Sequence, residues 1–412
     1  MKRLLLPLLS GLLLNGIAAA QPVTVDRMPP VVERGTYHNY FNCQNPAFGT
    51  FAHLSDDSGS DTRLGQFLTG WDTASIVTTN LPPSRYLIRA CRTRVTINDG
   101  LNVIYDPTHD ALATHFPTND PAWTPDLDGG RPLELFGVGF RNDFYVTTNF
   151  LQCSRVGSGL TGSNNVFAIC WTMNGLPKDV SNNVGKTNAL YPPFETWPFA
   201  IAQSSTVAPG GNLSPGNELT FELNLADPFV LGYLRSALQK GRLDLMASSL
   251  HQVSGQFGGE PFPSLATRFN SALLDPPTTM DLEVTVVRDL DTDTDGLPDD
   301  WEEFYFTNLT QTATADFDHD DASNLQEFLA GTDPTDANSV FKITSVPAAN
   351  QQTELRWLNL PSRHFEVDFS DNLTTWQSIT NPALYFPTAQ QVIWTETTNA
   401  PTRFYRVRAV LD

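Results

Sequence analysis

Hydrophobic and polar residues alternate along much of the chain between residues 23 and 287. The clearest stretch is 218–225, whose alternate positions are Leu219, Phe221, Leu223 and Leu225. The stretches 91–97 and 280–286 repeat this pattern. Because successive side chains of a strand point to opposite faces of a sheet, a period of two predicts strands with one buried face. We therefore expect a β-sandwich over residues 21–287.

One part of this region has helical periodicity instead. Asp227 suits an N-cap, Pro228 suits the first turn, and Gly241 suits the end of a helix. A single apolar face lies between them, formed by Val230, Leu231, Leu234, Ala237 and Leu238. The pattern predicts one helix that covers an open end of the sandwich.

Strand patterning returns in the last segment, residues 341–412. Its expected core positions are Leu355, Trp357, Phe365, Val367, Trp376, Val392, Trp394, Phe404, Tyr405 and Val407. Short strands separated by turns in a segment of this length favour a small sandwich of immunoglobulin or fibronectin type III style. The fold class expected for the whole chain is therefore mainly β.

Residues 1–20 have the pattern of a secretory signal peptide. Lys2 and Arg3 precede a leucine-rich run, and Ala18, Ala19 and Ala20 follow it. Such a segment is typically removed, here after Ala20, and the mature protein is exported. The competing interpretation is a membrane anchor, but Pro7 and Asn15 interrupt the apolar run before it reaches spanning length. We expect a secreted protein with no transmembrane anchor after cleavage.

The four cysteines fit an oxidising compartment. The preferred pairing is Cys153 with Cys170 and Cys43 with Cys91, and the alternative is a set of buried thiols.

Negative charge is concentrated in residues 288–340, which we expect to form a separate linker segment. The formal net charge of the chain is -20. Residues 281–340 contain 17 Asp and Glu and one basic residue, Arg288. This balance disfavours nucleic acid and anionic membranes as partners. A concentration of this kind requires either a bound cation or a disordered tail.

The spacing of the acidic residues favours the cation. Two twelve-residue loops place oxygen ligands at positions 1, 3, 5, 7, 9 and 12 of a calcium loop, with a backbone carbonyl at position 7. The first set is Asp291, Asp293, Asp295, Leu297, Asp299 and Glu302; the second is Asp316, Asp318, Asp320, Ala322, Asn324 and Glu327. We therefore expect two bound Ca²⁺ ions.

The loops differ from each other and from a complete EF-hand. Position 6 is Gly296 in the first loop and Asp321 in the second, so the second site is expected to be weaker or more strained. Short helices are expected after the acidic runs, over 300–308 and 325–330. Residues 282–287 resemble a strand rather than an entering helix. This favours a structural site, filled at extracellular calcium levels, over a calcium sensor.

The acidic segment resembles the thrombospondin type 3-like, EF-hand-like calcium repeats of exported bacterial proteins. The resemblance rests on Asp-Gly-Leu-Pro-Asp-Asp-Trp-Glu (295–302) and on two runs, 315–321 and 323–336. It implies that Asp333 also joins the second site. The tail, with Leu355-Arg-Trp and Phe404-Tyr-Arg-Val, is similar to the small β modules that accompany such repeats.

The front segment is similar to secreted bacterial proteins with Asp-Thr-Arg-Leu-Gly-Gln-Phe-Leu (61–68), Arg-Tyr-Leu-Ile-Arg-Ala (85–90) and Leu-Glu-Leu-Phe-Gly-Val-Gly (133–139). In outline it also resembles DNRLRE-type jelly-roll modules, through the stretches 231–250 and 262–268. The resemblance implies a jelly-roll-like sandwich and an extracellular location, but no reaction.

No local catalytic motif is present, and two groups of residues leave the question of function open. The loop 105–131 carries His109, Asp110, His115, Asp126, Asp128 and Arg131, which suit a solvated loop, a further calcium site or a catalytic cluster. Four aromatic residues lie in Pro-rich stretches and suit either a glycan platform or plugs at the sandwich edges: Trp123, Tyr191, Phe194 and Trp197.

The leading hypothesis is a secreted, non-catalytic, calcium-stabilised protein that binds a glycan or cell-surface ligand through its front domain. The alternatives are a polysaccharide-active hydrolase or lyase and a dockerin-like assembly module. Glu at position 12 of both loops disfavours the dockerin-like module.

Overall fold

The structure is a computed structural model, and it is mainly β, as the sequence predicts. The residues that it describes are 22–36, 44–53, 62–99, 102–116, 118–140, 166–171, 177–181, 194–254, 258–259, 261–273, 275–348, 352–358, 363–380, 384–385, 391–397 and 402–411. The expected signal peptide lies outside these residues. In the part of the chain described, no helix combines the length and the apolar character that crossing a membrane requires.

Two sheets make up the front part of the molecule. The first has the order β1 (Val23–Met28), β16 (Thr278–Val286), β6 (Tyr86–Asp99), β15 (Ser264–Ala266) and β3 (Ala47–Gly49), with β11 (Glu218–Glu222) also paired to β6. The second has the order β14 (Gly258–Gly259), β13 (Gln252–Ser254), β4 (Phe51–His53), β5 (Thr62–Asp72), β12 (Arg242–Ser249), β7 (Leu133–Phe140), β8 (Val166–Trp171) and β9 (Pro177–Asp179). In that sheet β10 (Ala200–Ile201) pairs with β7, and β2 (Val32–Gly35) pairs with β5.

The two sheets share one hydrophobic core. Trp71 of β5 and Leu245 of β12 belong to the same buried cluster as Phe221 of β11 and Leu282 of β16. The alternation seen in the sequence explains this arrangement, because Leu219, Phe221 and Leu223 are all buried. The front part is therefore sandwich-like.

The helix predicted in this region is α1, Pro228–Lys240. The Asp227 side chain accepts a hydrogen bond from the Phe229 amide, and Gly241 ends the helix in the left-handed conformation. Val230 and Leu234 on its apolar face join the sandwich core. Three short 3₁₀ helices lie elsewhere, at Thr73–Ser75, Pro83–Arg85 and Leu112–His115.

The cysteine prediction is corrected. Cys91 and Cys170 are free, buried thiols, so no disulfide joins either of them, and their expected partners, Cys43 and Cys153, lie outside the described residues. Cys91 faces the core from β6, where burial raises the pKa of its thiol to about 12. Both side chains act as small hydrophobic residues, which is the alternative that the sequence leaves open.

Two further sheets follow the acidic segment. One contains β17 (Ile343–Ala348), β18 (Gln352–Leu358) and β22 (Gln391–Thr397); the other contains β20 (Gln377–Ser378), β19 (Arg363–Ser370), β21 (Leu384–Tyr385) and β23 (Phe404–Leu411). Leu355, Trp357, Phe365, Val367, Val392 and Val407 form the shared core, as predicted. The prediction for Phe404 is wrong, since it is 37% exposed. Tyr405 and Val407 pack on the core, and an alternating strand turns Phe404 to the opposite face.

Glu33 of β2 is a buried carboxyl that should make stability pH-dependent. Its side chain accepts a hydrogen bond from the Arg268 amide at 3.0 Å, yet burial raises its pKa to about 7. Since the folded state holds this proton more tightly than the unfolded chain does, the contribution to stability is complete below pH 4.5 and is lost as the pH rises through 7.

We expect Glu33→Gln to remove this dependence. Relative to the variant, the wild-type protein should lose about 1–3 kcal/mol of unfolding free energy between pH 4.5 and pH 8, measured by urea denaturation. Glu222→Gln, on the solvent side of β11, serves as the matched control. Parallel pH profiles for the wild-type protein and Glu33→Gln would contradict the prediction.

Candidate metal centre

The acidic segment continues directly from the sandwich and contains two short helices. Strand β16 ends at Val286, before the first acidic loop begins at Asp291. Helix α2 (Asp299–Phe306) follows the acidic run of the first loop, and helix α3 (Asn324–Ala330) follows that of the second. The expected helices are therefore present, each beginning one residue earlier than predicted. As expected, a strand and not a helix precedes the first loop.

In the first loop, carboxylates converge on one small volume. One oxygen from each of Asp291, Asp293 and Asp295 lies within 4.8 Å of the others. Glu302 is 0% exposed, and neither of its carboxylate oxygens has a hydrogen-bond donor. Burial, and then the surrounding aspartates with Asp295 foremost, raises the pKa of Glu302 to about 8. A carboxyl group in this position is ionised at neutral pH only when a positive charge lies beside it.

Local hydrogen bonds give this loop its shape. The Asp291 side chain accepts from the Gly296 amide at 3.0 Å, and the Asp295 side chain accepts from the Leu297 amide at 2.8 Å. Asp299 is buried and accepts from the Thr292 amide at 2.7 Å, so it also serves the fold of the loop. The Leu297 side chain is buried beneath the loop. These bonds preorganise the acidic side chains around the turn at Gly296.

The second loop repeats the arrangement. Oxygens of Asp316, Asp318 and Asp320 lie within 4.8 Å of one another. Glu327 is 0% exposed; its Oε1 accepts from the Thr332 hydroxyl at 3.1 Å, whereas its Oε2 has no donor. Burial is the main reason that the pKa of Glu327 is raised to about 8.

Other oxygens of the second loop also lack donors. Both carboxylate oxygens of Asp318, Oδ2 of Asp320 and Oδ1 of the buried Asn324 are without a hydrogen-bond partner. The Asn324 Nδ2 group donates to the Thr312 carbonyl at 2.9 Å, so Oδ1, the acceptor of the same amide, stays available to a ligand. Ala322, expected to offer a carbonyl, donates its amide to Asp320 at 2.8 Å.

Position 6 has the backbone conformation that a calcium loop requires, and Asp333 lies near the second loop. Asp321 adopts φ 74°, so an aspartate takes the left-handed conformation that Gly296 takes in the first loop at φ 102°. Asp333 lies close enough to Glu327 to raise its pKa. The Asp333 carboxylate also accepts from the Thr335 amide at 2.9 Å.

The donor set suits calcium. It consists of carboxylate, carbonyl and amide oxygens, with no nitrogen or sulfur ligand among the predicted residues. Ca²⁺ takes six to eight oxygens, roughly the number that each loop offers. The residues therefore fit two calcium ions, which would supply the positive charge that the buried glutamates lack.

Contacts around the loops include basic residues whose roles the sequence pattern does not reveal. Arg288 binds Asp300 through two bonds of 2.8 and 2.7 Å. Arg363, from β19, donates to the carbonyls of Phe328 and Leu329 in the last turn of α3. Arg363 is distant in sequence from the α3 residues that it binds. The only sequence signal that its side chain is buried was its position within a hydrophobic strand.

The two loops also share a core with the front sheets. Trp301 and Phe306 of α2 pack with Leu87 of β6 and with Val287, and Phe328 of α3 packs against the same cluster. The first loop contacts the segment that leads into the second, since the Ala313 amide donates to Asp295 Oδ2 at 2.7 Å. The acidic loops are thus part of a packed unit rather than an isolated acidic tail.

A second polar site lies in the front part of the molecule. His109 Nε2 lies 3.0 Å from Glu195 Oε1, and His109 Nδ1 lies 3.8 Å from Glu134 Oε1. Glu134 is buried and paired with the buried Arg63. The hydrogen bond to Glu195 is the main reason that the pKa of His109 is raised. The sequence patterns pointed to His109 but missed both glutamates, although a charged residue inside the hydrophobic run of β7 was a signal for Glu134.

The aromatic residues do not form one strip in the part described. Trp197 is 53% exposed and stacks on His109 with ring centroids 5.1 Å apart. Phe194 packs against a buried cluster and lies under Lys178, as an edge plug would. Trp123 is half-buried, and Tyr191 lies outside the described residues. Only Trp197 among the described three therefore offers an open ring face.

Comparison of the chain with protein-family models, with curated proteins and with solved structures found no match in any of the three. The geometry and chemistry of the sites are therefore what indicates the function of the chain. The similarity to calcium repeats and to jelly-roll modules stays a prediction from the sequence.

If the first loop binds calcium as its sequence predicts, Gly296→Ala should weaken that binding. A Cβ at this position would meet no atom within 4 Å, so the cost comes from the positive φ alone, about 1–2 kcal/mol. The measurement is the calcium affinity by isothermal titration calorimetry. Gly216→Ala is the control, because Gly216 has a positive φ and equally open surroundings outside the acidic segment. It should lower stability but leave calcium affinity unchanged; equal affinities for all three proteins would contradict the prediction.

Proposed function

We propose that the chain is an exported calcium-binding protein in which two ions order the linker, residues 288–340. The linker would join a jelly-roll-like domain, 21–287, to a small immunoglobulin- or fibronectin III-like domain, 341–412. The observation that carries the proposal is the pair Glu302 and Glu327. Each is 0% exposed, has a carboxylate oxygen without a donor and lies near aspartates whose charges raise its pKa.

Electrostatics favour a bound cation over protein contacts. Arg288 is the single basic residue of residues 281–340, and it is engaged by Asp300. The segment therefore has no side chain of its own to neutralise the loops. Burying an ionised carboxylate without a partner costs several kcal/mol. A dication at each loop removes that cost and the mutual repulsion of the aspartates.

The packing favours a structural role for the ions. Helix α2 begins inside the first loop, and its Trp301 is buried against residues of the front sandwich. Helix α3 is fastened to β19 through Arg363. Because the ion-binding side chains and these packed side chains lie on the same short helices, ion binding becomes folding energy for the linker.

For the front domain we propose glycan binding at Trp197. An exposed ring beside polar groups is suited to stack on a sugar and to hydrogen-bond its hydroxyls. His109 and Glu195 lie next to the ring and supply those groups. The alternative is a hydrolase, favoured by two carboxylates on either side of His109. The imidazole lies between Glu134 and Glu195, where a hydrolase would hold substrate, so we rank binding first.

The calcium proposal is tested with Glu302→Gln and Glu327→Gln in the full-length protein. Each should reduce the affinity of one site at least tenfold, because the bidentate ligand loses its charge. Calcium should raise the thermal midpoint of the wild-type protein and protect the linker from protease. Glu303→Gln, the same change on an exposed side chain of α2, is the control. Unchanged midpoint and protease resistance with millimolar calcium would overturn the proposal.

The glycan proposal is tested on an array with the full-length protein. Trp197→Ala should lose at least tenfold in affinity for any bound glycan, since stacking and apolar contact are removed. Ile393→Ala, at an exposed apolar residue of β22 outside the front domain, is the control. No binding to the array combined with cleavage of a polysaccharide would favour the hydrolase instead.

A further inference from the structure

A third acidic cluster lies in the front part of the molecule, in the loop that follows β6. Asp106, Asp110 and Asp128 each place one carboxylate oxygen within 4.8 Å of the others. Oxygens bound to one calcium ion at about 2.3–2.6 Å lie no more than about 5 Å apart. The spacing therefore allows all three carboxylates to share an ion.

A buried oxygen without a partner sets this cluster apart from a solvated loop. Asp106 is 3% exposed, and its Oδ2 has no hydrogen-bond donor. Its Oδ1 is already used, by the Thr108 amide at 2.8 Å and the Thr108 hydroxyl at 2.6 Å. Oδ2 is thus the oxygen that remains for a ligand. An oxygen left in this state costs free energy unless something binds it.

The cluster also has fewer hydrogen-bond donors than its carboxylate oxygens could accept from. The Thr108 hydroxyl lies 2.6 Å from Asp106 Oδ1 and 2.7 Å from Asp128 Oδ2, but it has one proton to donate. Arg131 contacts the other side of the cluster, at 2.8 Å from Asp110 and 2.9 Å from Asp126. One guanidinium therefore faces four carboxylates, and Asp106 and Asp128 are the two that it does not contact in these ion pairs.

We infer that Asp106, Asp110 and Asp128 bind a further calcium ion, with waters completing its coordination. The ligands are carboxylate oxygens, as a hard cation prefers. It would join two distant parts of the loop, 106–110 and 126–131. Because His109 lies within the first of these, the ion also fixes the imidazole that stacks on Trp197.

A buried water is the competing explanation for the free oxygen. A cavity of about 10 Å³ is lined by Asp106, Arg131 and His251, and this is about the space that one water occupies. A water there would bind Asp106 Oδ2 without any ion. The two arrangements differ in the number of calcium ions that the protein holds.

The test counts bound ions by equilibrium dialysis of the full-length protein at millimolar calcium. We expect three ions for the wild-type protein, two for Asp128→Asn and one for the double variant Glu302→Gln/Glu327→Gln. Asp128 is exposed, so its substitution should leave the fold intact. Asp120→Asn, in the same loop but outside the cluster, should keep three ions.

Equal ion counts for Asp128→Asn and the wild-type protein would overturn the inference and favour the water. Asp106→Asn is the second variant, because it keeps the shape of the side chain, and it too should lose one ion; circular dichroism verifies its fold. The linker proposal fails separately, when Glu302→Gln/Glu327→Gln keeps all the ions of the wild-type protein. The two results therefore remain distinguishable.

Discussion

The structure of the linker depends on burying two glutamates among aspartates. Glu302 and Glu327 each lie in the first turn of a short helix and are fully buried. Neither carboxylate oxygen of Glu302 has a protein donor, and of the two oxygens of Glu327 only Oε1 has one, the Thr332 hydroxyl. Eight- and seven-residue helices have little stability of their own, so packing and ligands must hold them. Burial of these carboxylates is the most destabilising feature of the segment. With a divalent ion at each loop, the same carboxylates would become the main interactions that hold the segment in one conformation.

This constraint extends to both neighbouring regions. Trp301 links the first loop to the front sheets, because it packs in a buried cluster that includes Leu87. Arg363 links the second loop to β19. It donates to two carbonyls in the last turn of α3, which have no hydrogen-bond partner within the helix. Each side of the linker has both kinds of contact, since Ala330 of α3 also joins the hydrophobic core of the last two sheets and Arg89 of β6 donates to the Phe304 carbonyl of α2.

Sequence patterns predicted those features of the structure that are determined by residues close together in the sequence. Alternation located the buried faces of β11 and β16, capping residues located α1, and ligand spacing located both acidic loops. Contacts between distant residues escaped prediction, because Arg63 with Glu134 and Arg363 with α3 have no fixed spacing. The disulfide expectation failed for Cys91 because a cysteine in an alternating strand looks the same whether it is paired or merely buried. Phe404 failed because two adjacent residues of one strand cannot share a face.

The hydrogen bond from the Ala313 amide to Asp295 has a consequence for how the proposed ions are taken up. It ties a side chain of the first loop to the backbone that leads into the second, so ordering one loop removes part of the entropy cost of ordering the other. Uptake would then be positively cooperative, and the linker would stiffen over a narrower range of calcium concentration than two independent sites allow. A secreted protein built this way would stay loose in a calcium-poor compartment and become rigid on release.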